Sequence, residues 1–369
     1  MNTRRRNRLA MLLAVIAFCS GPSRADTWTN IVSSRVTSEY ESNPALSPTD
    51  QEGVWRTLFE PAYALTGTFD EDELRTGLAL QMARSSDDAL SPMRNSPSAF
   101  MEWLHQIDEG EFGLTARYVE IATRDATVDA TAPVPVASTR ASRTGSGRWN
   151  KVLSERSSVA VDGSYERVSY EGGSFIDYTT RSGNLLFSYA TSDSSTLFIK
   201  SAYADYEPTD GGPIVRISSG ALGLNLEFQN DVSASVQAGK YQVRDGTESG
   251  TIGEATLRHR GERTQLSLSG GRQISPSGLG GFSTVDVVNG SWSYALSDLS
   301  TSGIDLGWRR GNFDNVVINR TSGVWLRREL NNFWGMRAYY LNHTISGEII
   351  NTASSNIVGL TLAYTHTDF

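Results

Sequence analysis

Apolar residues recur at every second position through nearly all of the chain beyond residue 25, the periodicity of strands whose two faces meet different surroundings. After Trp55, the residues Phe59, Pro61, Tyr63, Leu65, Gly67 and Phe69 share one face, with Glu60, Ala62, Ala64, Thr66 and Thr68 on the other. The same alternation places Leu74, Leu78, Leu80 and Met82 against Arg75, Gly77, Ala79 and Gln81. It returns at Phe112–Tyr118, at Leu222–Phe228 and at Ile304–Trp308. The opposite faces hold Gly, Ser, Thr, Asn and charges.

Soluble sandwiches alternate too, so the connections must discriminate. They come in two kinds that take turns. Short ones fall near Asp70–Glu73, Asp108–Glu111, Ser154–Ser157, Thr191–Ser195, Gln229–Val232, Gly261–Thr264, Ser297–Ser300 and Asn331–Asn332. Longer ones fall between them, near Ser42–Gly53, Ser86–Pro97, Thr127–Gly145, Glu171–Ser174, Tyr206–Pro213, Asp245–Ile252, Ser275–Phe282, Phe313–Val317 and Ser346–Ser355. Of the eleven prolines, Pro61 sits in a strand and nine sit in these longer stretches.

Eight turns and nine loops join 18 strands, or 16 if the first or fourth is misread. The expected fold is all-β: a transmembrane, antiparallel, up-and-down β-barrel with short periplasmic turns and long extracellular loops. A spanning strand takes about 9–11 residues, which fits the spacing. No open sheet edge is tolerated in hydrocarbon, so closure is required, and only one face of each strand needs to be apolar. That accounts for a hydrophobic content of 38% in so long a chain. Trp55, Trp103, Trp292, Trp308 and Trp334 fall near strand ends, as interfacial aromatic girdles do.

The first 25 residues stand apart. Arg4, Arg5, Arg6 and Arg8 precede an apolar run from Leu9 to Phe18, and Ser23-Arg24-Ala25 reads as a cleavage site. The expectation is a signal peptide over 1–25, a single barrel domain over 26–369, and export to the outer membrane of a Gram-negative bacterium. Removing five arginines leaves 28 bases against 41 acids. The one cysteine, Cys19, leaves with them, so no disulfide is available. This balance argues against a nucleic-acid partner. The expected partners are the lipid bilayer and lipopolysaccharide, with polysaccharide and periplasmic export components if the conduit serves secretion.

Eighteen strands tilted by about 40° give a backbone radius of roughly 18 Å. Side chains then leave a lumen on the order of 20 Å wide unless loops fill it. Thr127–Gly145 is the candidate to fold inward, with a mobile outer loop as the equal alternative. Phe369 provides a terminal aromatic, but it falls on the opposite parity from Val358, Leu360, Leu362 and Tyr364. Either a bulge between Tyr364 and Phe369 restores the register, or the last residues extend past the sheet.

Lumen-facing parity gathers Arg117, Arg309, Arg327 and Arg337 with Asp162, Glu166, Glu227 and Asp305. The mature chain has only three lysines, Lys151, Lys200 and Lys240, so its cationic chemistry is that of arginine, whose planar fork suits carboxylate, sulfate or phosphate. These charges either guide an anionic or hydroxyl-rich solute or pair across strands to stiffen the wall, and the second role is favoured. An enzyme is not expected. His105, His259, His343 and His366 form no metal-ligand spacing, no GxSxG occurs, and no metal or cofactor is implied.

The segment Ser34–Pro48 carries Tyr40, Glu41, Ser42 and Asn43. This aromatic-acidic-x-Asn stretch resembles the opening of outer-membrane β-barrel proteins encoded with exopolysaccharide biosynthesis genes. The resemblance implies a passive conduit for a nascent exopolysaccharide and carries no catalytic residues. The alternatives are a diffusion porin for small solutes and a closed-lumen receptor or structural barrel.

Overall fold

The computed structural model describes residues 27–49, 51–123, 138–172, 175–244, 248–312, 316–348 and 351–367. The segment read as a signal peptide and the terminal Phe369 therefore lie outside the described residues. Eighteen strands run in chain order: β1 Thr27–Glu41, β2 Val54–Phe69, β3 Asp72–Ser85, β4 Arg94–Ile107, β5 Gly110–Ala122 and β6 Thr139–Ser154. They continue as β7 Ser157–Glu171, β8 Tyr178–Ser192, β9 Ser195–Pro208, β10 Val215–Phe228, β11 Val232–Arg244 and β12 Ser249–Arg260. The last six are β13 Thr264–Pro276, β14 Phe282–Ser297, β15 Ser300–Asn312, β16 Val316–Glu329, β17 Trp334–Gly347 and β18 Ala353–Thr367.

Each strand pairs antiparallel with its sequence neighbours, and β1 pairs with β18 from Ile31↔Thr367 to Glu41↔Ile357. The sheet is a closed 18-strand up-and-down barrel, so it leaves no edge to be covered. The pairing of β18 runs to Thr367 with no register shift, so of the two readings of the C-terminus no bulge is found among the described residues.

Connections alternate by rim as their lengths dictate. Two-residue links such as Asp70–Glu71 close one rim, and the longest links, such as 42–53, rise from the other. In the β10–β11 turn Asn230 and Asp231 both take positive φ, 63° and 54°, the left-handed pair that matches the twist of a hairpin. Prolines obey the rule less strictly than the sequence suggests. Pro97 lies inside β4, and Pro208 and Pro276 end β9 and β13. Strand ends and positions without a ladder donor tolerate proline, so these three belong to strands and not to loops.

The outer face is apolar around the circumference. Trp55, Ile199, Leu222 and Val358 are all more than half exposed on it. A water-facing protein rarely carries so continuous an apolar surface. Buried residues cluster at the long-loop rim. After β1 the chain folds back over the inner face of β16–β18, where Leu46 packs on Val317, Ile345 and Ala353. Asn43, 1% exposed, anchors this turn: its amide donates to Ser47 O (2.8 Å) and Ser354 O (3.0 Å), and its carbonyl accepts from Ser47 N. The Tyr40–Asn43 stretch is thus the foot of a folded loop, with Tyr40 packed on Trp55 at a centroid distance of 5.3 Å.

Candidate permeation path

The inner face is built from the polar half of each strand, and cross-strand register fixes which residues share it. Val36↔Phe59 and Tyr40↔Trp55 point outward, so Arg35, Glu39, Glu41, Arg56 and Glu60 point inward. By the same rule, Arg117 on β5, Asp162 and Glu166 on β7, Glu227 on β10, Asp305 and Arg309 on β15, Arg327 on β16 and Arg337 on β17 all lie on the inner face.

Several of these charges are held in the wall. Arg337 lies 3.8 Å from Asp305 and stacks over Trp325 at 4.9 Å. Arg327 donates to Glu329 at 2.9 Å, Glu166 accepts from Arg140 at 3.2 Å, and Asp162 accepts from Asn184 at 2.6 Å. The most enclosed set is the fork of Arg56 on Glu39 and Glu41 (3.2 Å to Glu41), with the Tyr339 hydroxyl donating to Glu39. Its side chains are only 13%, 6% and 7% exposed, so each carboxylate depends on the guanidinium for compensation.

Large inner side chains are kept flat against the wall. The Phe198 ring covers Gly223, and the Trp325 indole covers Gly303, each where a Cβ would collide with the ring. Phe100 on Gly77 and Tyr339 on Gly359 repeat the arrangement. Glycine opposite an aromatic gives the ring a seat and keeps it out of the passage.

The passage is narrowed elsewhere, by the tip of the β13–β14 hairpin. The β12–β13 ladder stops at Gly253↔Arg272, whereas β13 and β14 stay paired as far as Pro276↔Phe282. Freed from β12, the tip leans into the barrel. Phe282 shares the outward face of β14 with Thr284 and Trp292, yet its ring lies 5.9 Å from that of Tyr206, an inner-face residue of β9. The outer face of the tip therefore covers the inner face of β8–β10, five strand intervals away from β14 in the case of β9. Val168, Tyr178 and Tyr206 form its buried seat, and the Tyr206 hydroxyl donates to Ser277 O at 3.1 Å.

Below this tip is a cavity of about 400 Å³ walled by β8–β15, with Lys200, Gln237, Glu254, Arg272 and Arg309 among its lining. Arg272 is held there by a two-point contact with Asp286, at 2.6 and 2.9 Å. Nearer the short-turn rim a second cavity of about 840 Å³ joins Glu227 and Asp305 with Arg258, Arg260 and Trp325. The two cavities lie on one side of the interior, on neighbouring strands, with Arg309 in the lining of the first and Glu227 and Asp305 in that of the second. Arg117, Asp162 and Glu166 stand on β5 and β7, outside both linings.

The expected inward segment was Thr127–Gly145. Residues 127–137 of it lie outside the described residues, and Thr139–Gly145 is strand β6, paired with β5 and β7. Among the described residues the β13–β14 tip enters the barrel, as does the turn after β1 that seats Leu46 on β16–β18. The eight lumenal candidates read from the sequence also left out Lys200, Arg258, Arg260 and Arg272.

No protein-family model matches the chain, and no curated protein matches it in sequence. Solved structures do resemble it. OccAB2 of Acinetobacter baumannii superposes with a TM-score of 0.54 at 10% identity, covering 95% of this chain and 100% of that one. The outer membrane protein OpdK of Pseudomonas aeruginosa gives 0.53 at 8% identity, covering 93% and 100%. The structure of OpdK with vanillate gives 0.54 at 9% identity over the same shares. At these identities the likeness is one of fold.

Proposed function

We propose that the chain is an outer-membrane barrel of a Gram-negative bacterium that lets small polar solutes diffuse through a narrowed interior. An apolar outer belt around a closed ladder suits insertion into hydrocarbon, because closure satisfies the backbone and the belt meets acyl tails. The two termini of the described chain, at β1 and β18, share the short-turn rim. That rim is then periplasmic and the long-loop rim extracellular.

The observation that carries the reading is the β13–β14 tip packed across the interior. A conduit for a growing polysaccharide calls for a wide, continuous passage, whereas a tip seated on Val168, Tyr178 and Tyr206 crosses the interior above a cavity of about 400 Å³. The small-solute channel is therefore preferred to exopolysaccharide export, which rests on the Tyr40–Asn43 resemblance alone.

The inner face carries unpaired charges of both signs: Asp162, Glu227 and Glu254 have no basic partner among the described residues. Arg117, Lys200, Arg258 and Arg260 point inward without an ion-pair partner among the described residues. Bases lining a passage raise the local concentration of anions beside them, as acids do that of cations. OpdK, similar in fold, has been crystallised with vanillate. The test is reconstitution into planar bilayers and liposomes. Single-channel conductance with entry of small carboxylates and exclusion of polysaccharide is expected. Passage of polysaccharide, or a barrel that inserts and stays closed, would overturn the assignment.

A further inference from the structure

The outer face carries a constellation that the permeation path does not use. Near the long-loop rim, Arg143 on β6 stands directly opposite Arg167 on β7, and Arg181 on β8 stands opposite Tyr165, one outward position nearer the turns. All three arginines are exposed. Like charges directly opposed on one face of a sheet repel. Arg143 and Arg167 have no acidic partner among the described residues, while Arg181 contacts Glu207 at 3.0 Å and Asp205 at 3.8 Å.

Below them, past Gly145 on β6 and Tyr165 on β7, comes a row without side chains. Gly147, Gly163 and Gly183 are directly opposed on the outer face of the same three strands. A Cβ at Gly163 or Gly183 would meet only backbone oxygen of the next strand, at 3.7 and 3.9 Å. Three adjacent strands spaced by about 4.8 Å thus form a shallow saddle on the order of 10 Å across. The next outward row is Trp149, Val161 and Leu185, the top of the apolar belt. On β6 and β8 the order from rim to belt is guanidinium, bare backbone, apolar side chain, and on β7 the Tyr165 ring stands between Arg167 and Gly163. That order is the order of an amphiphile whose anionic head is wide and flat.

We infer that this face binds a phosphorylated glycolipid of the outer leaflet. Arg143, Arg167 and Arg181 would take the phosphates, the glycine saddle the sugar rings, and Trp149, Val161 and Leu185 the first methylenes of the acyl chains. Arginine forks bind phosphate oxygens through two parallel hydrogen bonds, which stabilise the charge more than a single ammonium does. A flat saddle fits fused or linked sugar rings better than a glycerol headgroup. The inference rests on the outer-membrane reading above.

The experiment uses the full-length protein in detergent, with retained lipid followed by native mass spectrometry. The probes are lipid A bearing both phosphates, the same lipid dephosphorylated, and phosphatidylglycerol. The wild type should retain the phosphorylated glycolipid, and the triple variant R143Q/R167Q/R181Q should bind it about tenfold or more weakly. Gly163→Leu, which fills the saddle and keeps every charge, should weaken it as well. R320Q, which removes an exposed outward arginine on β16, should leave it unchanged. Equal retention of dephosphorylated lipid A or of phosphatidylglycerol by the wild type would overturn the inference, as would undiminished binding by the triple variant. A barrel that conducts in plain phospholipid bilayers yet fails these tests would keep the channel reading and lose this one. A barrel that never inserts would lose the channel reading itself.

Discussion

The backbone N–H of Ile176 donates to the carbonyl of Gly278 across 2.7 Å, joining the loop that follows β7 to the hairpin tip between β13 and β14. Strand neighbours could not make this bond, since the two segments are separated by the whole of β8–β12 along the wall. It exists because β13 outruns β12: past Arg272 the edge of β13 has no ladder partner on that side, and the tip satisfies itself against β7–β10 instead. The tip is in effect a strap across the mouth.

The strap has little room. A Cβ added to Gly278 would fall 2.6 Å from the Tyr170 hydroxyl and 3.0 Å from the Phe175 ring. Gly278→Val should therefore displace the tip while leaving the ladders intact. Single-channel conductance should rise, and larger solutes should enter liposomes. An unchanged conductance would mean that the tip does not restrict the passage.

Tyr206 separates packing from hydrogen bonding at the same seat. Its ring stacks on Tyr178 at 4.8 Å, and its hydroxyl donates to Ser277 O. Tyr206→Ala should cost about 3–5 kcal/mol through the cavity it leaves. Tyr206→Phe should cost only about 1 kcal/mol, one hydrogen bond. Urea unfolding in detergent micelles checks both. Equal losses would assign the strap to the hydrogen bond and not to the aromatic cluster.

The barrel itself was written in the chain: alternating faces gave the strands, and the alternation of short and long links gave the closure and the rims. The strap was not, because direction at a loop depends on contacts that period-two patterning does not carry. A signal was present nonetheless. Val168, Tyr178, Tyr206 and Val215 are apolar on the polar parity, all at the long-loop ends of β7–β10, and such a breach marks an inner face that something covers. The eight charged candidates were placed on a face by parity alone. Whether each pairs or stays open is set by side-chain reach across the wall, as Arg337 of β17 with Asp305 of β15, two strands away, and Arg117 without an acidic partner among the described residues illustrate. The glycine after Ser277 and the short reach of β12 decide the rest.

The Arg56 fork offers a test of wall electrostatics. Removing the guanidinium with Arg56→Gln leaves Glu39 and Glu41 enclosed and mutually repelling, which should destabilise the barrel by about 3–5 kcal/mol. Adding Glu39→Gln and Glu41→Gln should recover most of that loss, since no uncompensated charge remains. Failure of the triple variant to recover would show that Arg56 acts through packing, with the carboxylates as bystanders.

Charge selectivity should follow the bases that lack acid partners. Arg258 and Arg260 line the larger cavity near the short-turn rim, where Glu227 and Asp305 also face the passage. Replacing both arginines with glutamate removes two positive charges and adds two negative ones where ions must pass. The reversal potential in a salt gradient should move toward that of a cation channel. The shift should be large at about 0.1 M salt, where the Debye length is about 10 Å, and should shrink toward 1 M, where it is about 3 Å. Arg327→Ala makes the informative comparison, because Arg327 is already neutralised by Glu329 at 2.7 Å. Its removal should move the reversal potential far less than the change at Arg258 and Arg260. If the Arg327 variant shifts selectivity as strongly, ion pairing in the wall does not silence a lumenal charge, and selectivity belongs to the summed field of the interior and not to these two side chains.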